Sequence, residues 1–145
     1  MRVNLIVSEE LRDMVAAWSV TGCDGIVHRA AAELLNTGAL FARDNPSAFT
    51  ELFVSIRECY PLAKAKRSPS LTLVLDQIER RAVTEAAARH ALTPKARAYR
   101  VFIMIGLALQ SRRPLSELSR PGPLRERLDG LAQLILSSGI RWSAH

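Results

Sequence analysis

Two short runs, Arg2-Val3-Asn4-Leu5-Ile6-Val7-Ser8 and Ser70-Leu71-Thr72-Leu73-Val74-Leu75-Asp76, repeat one pattern at an interval of 68 positions. Each alternates between two sets of side chains, as a strand with one buried face does. Each ends on a residue that caps helices well, Ser8 or Asp76. Each is followed by helical spacing rather than by another strand. A lone strand in a helical chain leaves its backbone N–H and C=O groups unpaired, which is costly once they are buried. Two such strands can pair with each other. The doubling therefore predicts a mainly α fold with one two-stranded antiparallel β-ribbon.

The segments after each strand extend the repeat. Leu11, Met14, Val15 and Trp18 follow helical spacing after Ser8, with Glu9 and Glu10 in a first turn where acids suit the helix dipole. Thr21-Gly22 reads as a stop and Asp24 as the cap of a second helix, which carries Ile26, Val27, Ala30, Leu34 and Leu35 and ends at Gly38. Asp44-Asn45-Pro46-Ser47 starts a third, with Phe49, Phe53, Ile56 and Tyr60 on one face and Pro61 closing it. A basic linker, residues 63–69, separates this first half, 1–62, from a second, 70–145.

In the second half, a helix from Gln77 to Leu92 is expected to bury Ile78, Ala82, Val83 and Ala86. Thr93-Pro94 starts the next, whose run Val101 to Leu109 is apolar all round and belongs in a centre. The last helix carries Leu124, Leu128, Leu131 and Ile135, each 75 positions after Phe49, Phe53, Ile56 and Tyr60. So each half is read as strand, helix, helix and an extra C-terminal helix, and the whole as one domain of two repeats.

Charge narrows the partners. The formal net charge is +6 and the pI about 10.1, which favours an anionic partner, nucleic acid first and an anionic membrane surface second. The excess is local: between Pro61 and Arg100 nine Lys/Arg face three acids. The nine-residue run Val101 to Leu109 is about half of a membrane span, which argues against insertion. Arg2 and Asn4 interrupt the apolar start, so no signal peptide is read and the expected location is cytoplasmic. Cys23 and Cys59 form no CxxC pair, and His28, His90 and His145 have no metal-ligand spacing, so neither a metal nor a cofactor is expected. The chain carries no nucleophile elbow, P-loop or GxGxxG. It does not read as an enzyme.

The strand-helix-helix unit resembles the ribbon-helix-helix family of DNA-binding proteins, of which Arc and MetJ are β-ribbon readers. The residues that carry the resemblance are Arg2 to Leu11, Thr21-Gly22 and Val27-His28-Arg29-Ala30. In that family one strand from each of two chains forms the ribbon. Here both strands lie in one chain, so the resemblance implies a tandem, single-chain pseudodimer. The fused arrangement is similar to the overdrive-binding virulence group of the virC operon in Agrobacterium and its plasmid-borne relatives. That similarity implies an accessory factor in plasmid or T-DNA transfer, or a repressor, acting on double-stranded DNA. Its partners would include relaxosome or partition-type ATPase proteins, and it would be a monomer capable of further self-association.

The resemblance also implies roles. Arg2, Asn4 and Ile6 become the base-facing set of the first strand, and Ser70, Thr72 and Val74 that of the second. Arg2 suits guanine O6 and N7, Asn4 suits adenine N6 and N7, and Thr72 can donate, accept or press its methyl on thymine. The family clamps phosphate at the start of its second helix. Thr93, Pro94, Lys95 and Arg97 hold that place in the second half, joined by Lys64, Lys66 and Arg67 of the linker. In the first half it falls to Cys23, Asp24 and Gly25, where Asp24 departs from a phosphate-friendly pattern. Two unlike strands imply an asymmetric DNA site. Two other readings use the same residues. The ribbon could serve only to hold two helical halves together, or the chain could be a protein-interaction module, antitoxin-like or a scaffold, that docks a partner on its third helices.

Overall fold

The computed structural model describes residues 2–63, 70–92, 95–110 and 122–137. The order of elements is β1 (Arg2–Ile6), α1 (Glu9–Gly22), α2 (Val27–Asp44), α3 (Pro46–Ala63), β2 (Ser70–Val74), α4 (Gln77–Arg89), α5 (Lys95–Gln110) and α6 (Pro123–Ser137). Mainly helical, it holds one two-stranded antiparallel sheet among the described residues. β1 and β2 pair with Asn4 opposite Thr72, Arg2 opposite Val74 and Ile6 opposite Ser70.

Alternation decides which face of the ribbon is buried. Leu5, Leu71 and Leu73 are at most 2% exposed, while Ile6 and Val74 are 51% and 53% exposed. Burying each aliphatic side chain of the inner face contributes about 1.5–3 kcal/mol. This one-sided burial fixes the register, because a slip of one residue would put the leucines in water and the polar set in the core. Val7 and Leu75 carry the apolar pattern on past the strand ends.

The caps then turn each strand into a helix. The Ser8 hydroxyl accepts from Leu11 N–H at 3.2 Å. Asp76 forms a capping box with Glu79, each side chain accepting from the other residue's backbone N–H at 2.7 and 3.1 Å. α1 ends near the Thr21-Gly22 signal, with Asp24 and Gly25 in left-handed turns at φ 52° and 79°. Asp24 does not cap α2. Ile26 holds that position without a side-chain hydrogen bond, because the left-handed turn carries Asp24 past it. α4 stops at Arg89 rather than Leu92: Ala91 turns left-handed at φ 52°, and Leu92 N–H returns to the Ala87 carbonyl at 2.9 Å.

The centre is the crossing of α2 and α5. Ala30, Leu34, Leu35 and Phe41 of α2 and Val101 to Ala108 of α5 are buried, as the apolar run requires. Gly38 does not end α2, which runs on to Asp44. It serves close approach instead: a Cβ there would overlap the Phe102 carbonyl and lie 2.6 Å from its carbon. Gly106 meets Leu34 in the same way, its Cβ 2.8 Å from the carbonyl carbon. Leu34 and Phe102, like Gly38 and Gly106, stand 68 positions apart, the interval that separates Arg2 from Ser70.

α3 and α6 pack against each other and complete the core, burying Phe49, Leu52 and Ile56 from one and Leu124, Leu128, Leu131 and Ile135 from the other. Pro61 does not close α3, which continues to Ala63; in a final turn the missing N–H costs a single hydrogen bond. Ile78 is 81% exposed rather than buried, and Ala82 only half-buried, so α4 rests on the core chiefly through Val83 and Ala86.

Candidate nucleic-acid interface

The register gathers six side chains on one outward face. Arg2, Asn4, Ile6, Ser70 and Val74 are exposed and Thr72 is half-buried. Arg2 stands opposite Val74 at one end, Ile6 opposite Ser70 at the other, and Asn4 opposite Thr72 at the centre. The central pair is joined: the Thr72 hydroxyl donates to Asn4 Oδ1 at 3.1 Å. The expected base-facing set is thus brought together as one surface.

The two ends of the ribbon are flanked by different helix starts. At the Ile6 end, Arg100 Nε donates to the Ile6 carbonyl at 2.8 Å, tying the first turns of α5 to the strand. Burial of this guanidinium, and Arg97 beside it, hold its pKa below its ordinary value. Lys95 and Arg97, both exposed, begin the same helix, and Arg97 lies close enough to Arg100 to act on its charge. Thr93, Pro94, Lys64, Lys66 and Arg67 lie outside the described residues.

Beside β2 runs a groove of about 700 Å³. Arg2, Thr72 and Val74 line it from the ribbon, Arg12 from α1, and Val27 and His28 from the start of α2. This corrects the expectation for the first half. Asp24 does not occupy the helix start, and two arginines and a histidine share the groove with one acid, Asp13. The sequence pattern did not single out Arg12 and Arg100. Each lies about one turn into a helix that leaves or abuts the ribbon, a spacing that could have flagged them.

Cys23, His90 and Glu10 are engaged in contacts away from the ribbon. The Cys23 thiol is buried and free, and donates to Glu33 Oε2 at 3.2 Å; burial and that carboxylate push its pKa up to about 11. His90 lies 4.1 Å from the Phe49 ring, with Nε2 3.1 Å from the Ala42 carbonyl oxygen. Trp18 is a core residue. Glu10, expected to serve its own helix, reaches further: its two oxygens accept from Leu124 and Arg125 N–H at 3.2 and 2.7 Å, capping α6. Among the described residues no cluster of His, Cys, Asp and Glu could hold a metal ion, and no helix is long and apolar enough to cross a membrane.

Compared with protein-family models, curated proteins and solved structures, the chain matches none.

Proposed function

We propose that this protein binds double-stranded DNA by laying the outer face of its β-ribbon in the major groove, as a single-chain ribbon-helix-helix pseudodimer. The register carries the reading. It pairs Asn4 with Thr72, positions 68 apart, so the strands are related by an approximate twofold axis through that pair. The crossing of Gly38 on Phe102 and Gly106 on Leu34 obeys the same relation. A ribbon is narrow enough for the roughly 12 Å major groove, and its polar and cationic residues point away from the core. Lys95, Arg97 and Arg100 on α5 and Arg12 on α1 suit the phosphates that border the groove, which leaves Arg2 to the bases. The two ends differ, so the site is asymmetric. A role as accessory factor in plasmid or T-DNA transfer, or as a repressor, follows from the family resemblance.

The test is selection of bound duplexes from a random pool with the full chain, followed by a salt titration. The seven cations proposed to meet phosphate, Lys64, Lys66, Arg67, Lys95, Arg97, Arg100 and Arg12, imply that log affinity falls against log salt with a slope of about −6. Arg2→Ala with Asn4→Ala should relax the site preference, whereas Lys95→Ala should weaken all sequences alike. An unchanged preference in the double variant refutes groove reading. The second reading, a protein-interaction module, has the exposure of Val54, Leu134 and Leu136 on the outer helices in its favour; it requires DNA affinity that is weak and indifferent to sequence.

A further inference from the structure

Two of the six outward side chains of the ribbon are apolar. Ile6 is 51% exposed and Val74 53%, and they stand 68 positions apart. The register sets them at opposite ends of opposite strands, Ile6 facing Ser70 and Val74 facing Arg2. The approximate twofold axis through Asn4 and Thr72 therefore exchanges them. At the other exchanged positions the chemistry differs, with Ser70 answering to Arg2 and Thr72 to Asn4. Ile6 and Val74 keep one chemistry on both strands, a β-branched aliphatic side chain. Strand propensity favours β-branching at such places, but threonine would supply it with less apolar surface in water.

Resting on the ribbon-in-groove reading above, we propose that Ile6 and Val74 read the C5-methyl groups of two thymines, one on each DNA strand, related by twofold symmetry about the centre of the site. An aliphatic side chain has no donor or acceptor. Among the groups that base pairs present in the major groove, the thymine methyl is the apolar one. Set against a G·C pair, Ile6 or Val74 would cover donors and acceptors and leave them unpaired, which costs free energy. Set against the methyl, it takes two apolar surfaces out of water together. Four residues of strand separate the two side chains along the ribbon, about 14 Å, the rise of about four base pairs. A dyad exchanges the two strands of a duplex, so side chains exchanged by the protein's axis meet opposite strands. The unlike neighbours, Arg2 across from Val74 and Ser70 across from Ile6, keep the site as a whole asymmetric. Within it the thymine pair is the symmetric element, and its two members can be told apart.

The experiment is the random-duplex selection with the full chain, followed by replacement of each thymine of the pair with uracil in the selected duplex, which removes the methyl and nothing else. The selection should enrich two T·A pairs of opposite sense about four base pairs apart. Each uracil should weaken binding about fourfold, the worth of one buried methyl group. In an Ile6→Ala protein the uracil at one end should cost nothing further while the other still costs about fourfold, and Val74→Ala should show the reverse. Both variants are checked for an unchanged circular dichroism spectrum; should either misfold, the uracil swaps on the unaltered protein decide alone. A selected site without the thymine pair overturns the inference. So does a uracil that leaves affinity unchanged, or a uracil penalty that survives both alanine substitutions. Each of these leaves groove reading intact. A pool with no enriched sequence overturns groove reading and the inference together.

Discussion

Replacing Gly38 with alanine probes the α2–α5 crossing most directly. The added Cβ would lie 2.6 Å from the Phe102 carbonyl carbon and 2.7 Å from its Cα. The carbonyl oxygen, which the Cβ overlaps, is nearer still, and ordinary contact begins near 3.4 Å, so the helices must part by more than about 0.8 Å. The obstacle is backbone, which no rotamer change can move. A gap of that size forfeits roughly a quarter to a half of each dispersion contact across the crossing. Overpacking of this kind costs about 3 kcal/mol at its usual upper end, and the better helix propensity of alanine returns about 1. The net loss is about 2 kcal/mol, which for 145 residues corresponds to a fall in Tm of about 7 °C. Thermal unfolding followed by circular dichroism measures it. Gly106→Ala should behave alike, because its Cβ meets the Leu34 backbone. The double variant should lose less than the sum, since the first substitution already separates the helices. A Gly38→Ala protein as stable as the parent would refute the reasoning.

Other outcomes follow from single residues. Gly130 sits in α6 with open space where a Cβ would go, so Gly130→Ala should raise stability by about 0.5–1 kcal/mol in denaturant titration. Ala91 bears a left-handed φ of 52° that costs a β-carbon dearly; Ala91→Gly should stabilise by roughly 0.5–1 kcal/mol, and a loss would contradict that conformation. Removing the Glu10 carboxylate with Glu10→Ala strands two N–H groups at the start of α6, an expected loss of about 1–2 kcal/mol with earlier amide exchange in that turn. For Cys23 the folded pKa of about 11 exceeds the ordinary 9.0, so the unfolded thiol deprotonates first. Its stabilising effect is whole below pH 9 and fades as pH rises from 9 to 11. Cys23→Ser should flatten that part of the stability profile, and a profile as steep as the parent's would contradict the raised pKa.

The elements were legible where period and cap agree. Leu5, Leu71 and Leu73 declared the inner face by alternation, Ser8 and Asp76 marked the strand-to-helix turns, and Val101 to Leu109 announced the central helix. Signals carried by one residue type were ambiguous. Gly38 resembles a stop, yet a glycine in a helix also permits close backbone approach, and nothing local separates the two uses. Pro61 and Asp24 misled for a related reason: each names a local preference that a turn or a neighbouring helix can override. Ile78 was assigned inward by helical spacing alone, which fixes a stripe but not its partner. For the candidate interface, the ribbon residues could be named in advance because their face is set by parity. Arg12 and Arg100 were less visible, because their only signal is a place about one turn into a helix that leaves or abuts the ribbon.

Alone, then, the chain's order of residues determined local conformation, the face each strand buries and the presence of two matching strands. These depend on side-chain size, polarity and capping over a few neighbouring positions. Tertiary structure decided the rest. It paired Asn4 with Thr72 and so brought their side chains into contact across the strands. It packed Gly38 and Gly106 into a backbone crossing, brought Glu10 to the start of α6, and cleared Asp24 from the groove beside Arg2 and Arg12. Each of these joins residues far apart in the chain. Which distant groups meet follows from how whole faces fill the core together, and no local pattern encodes that.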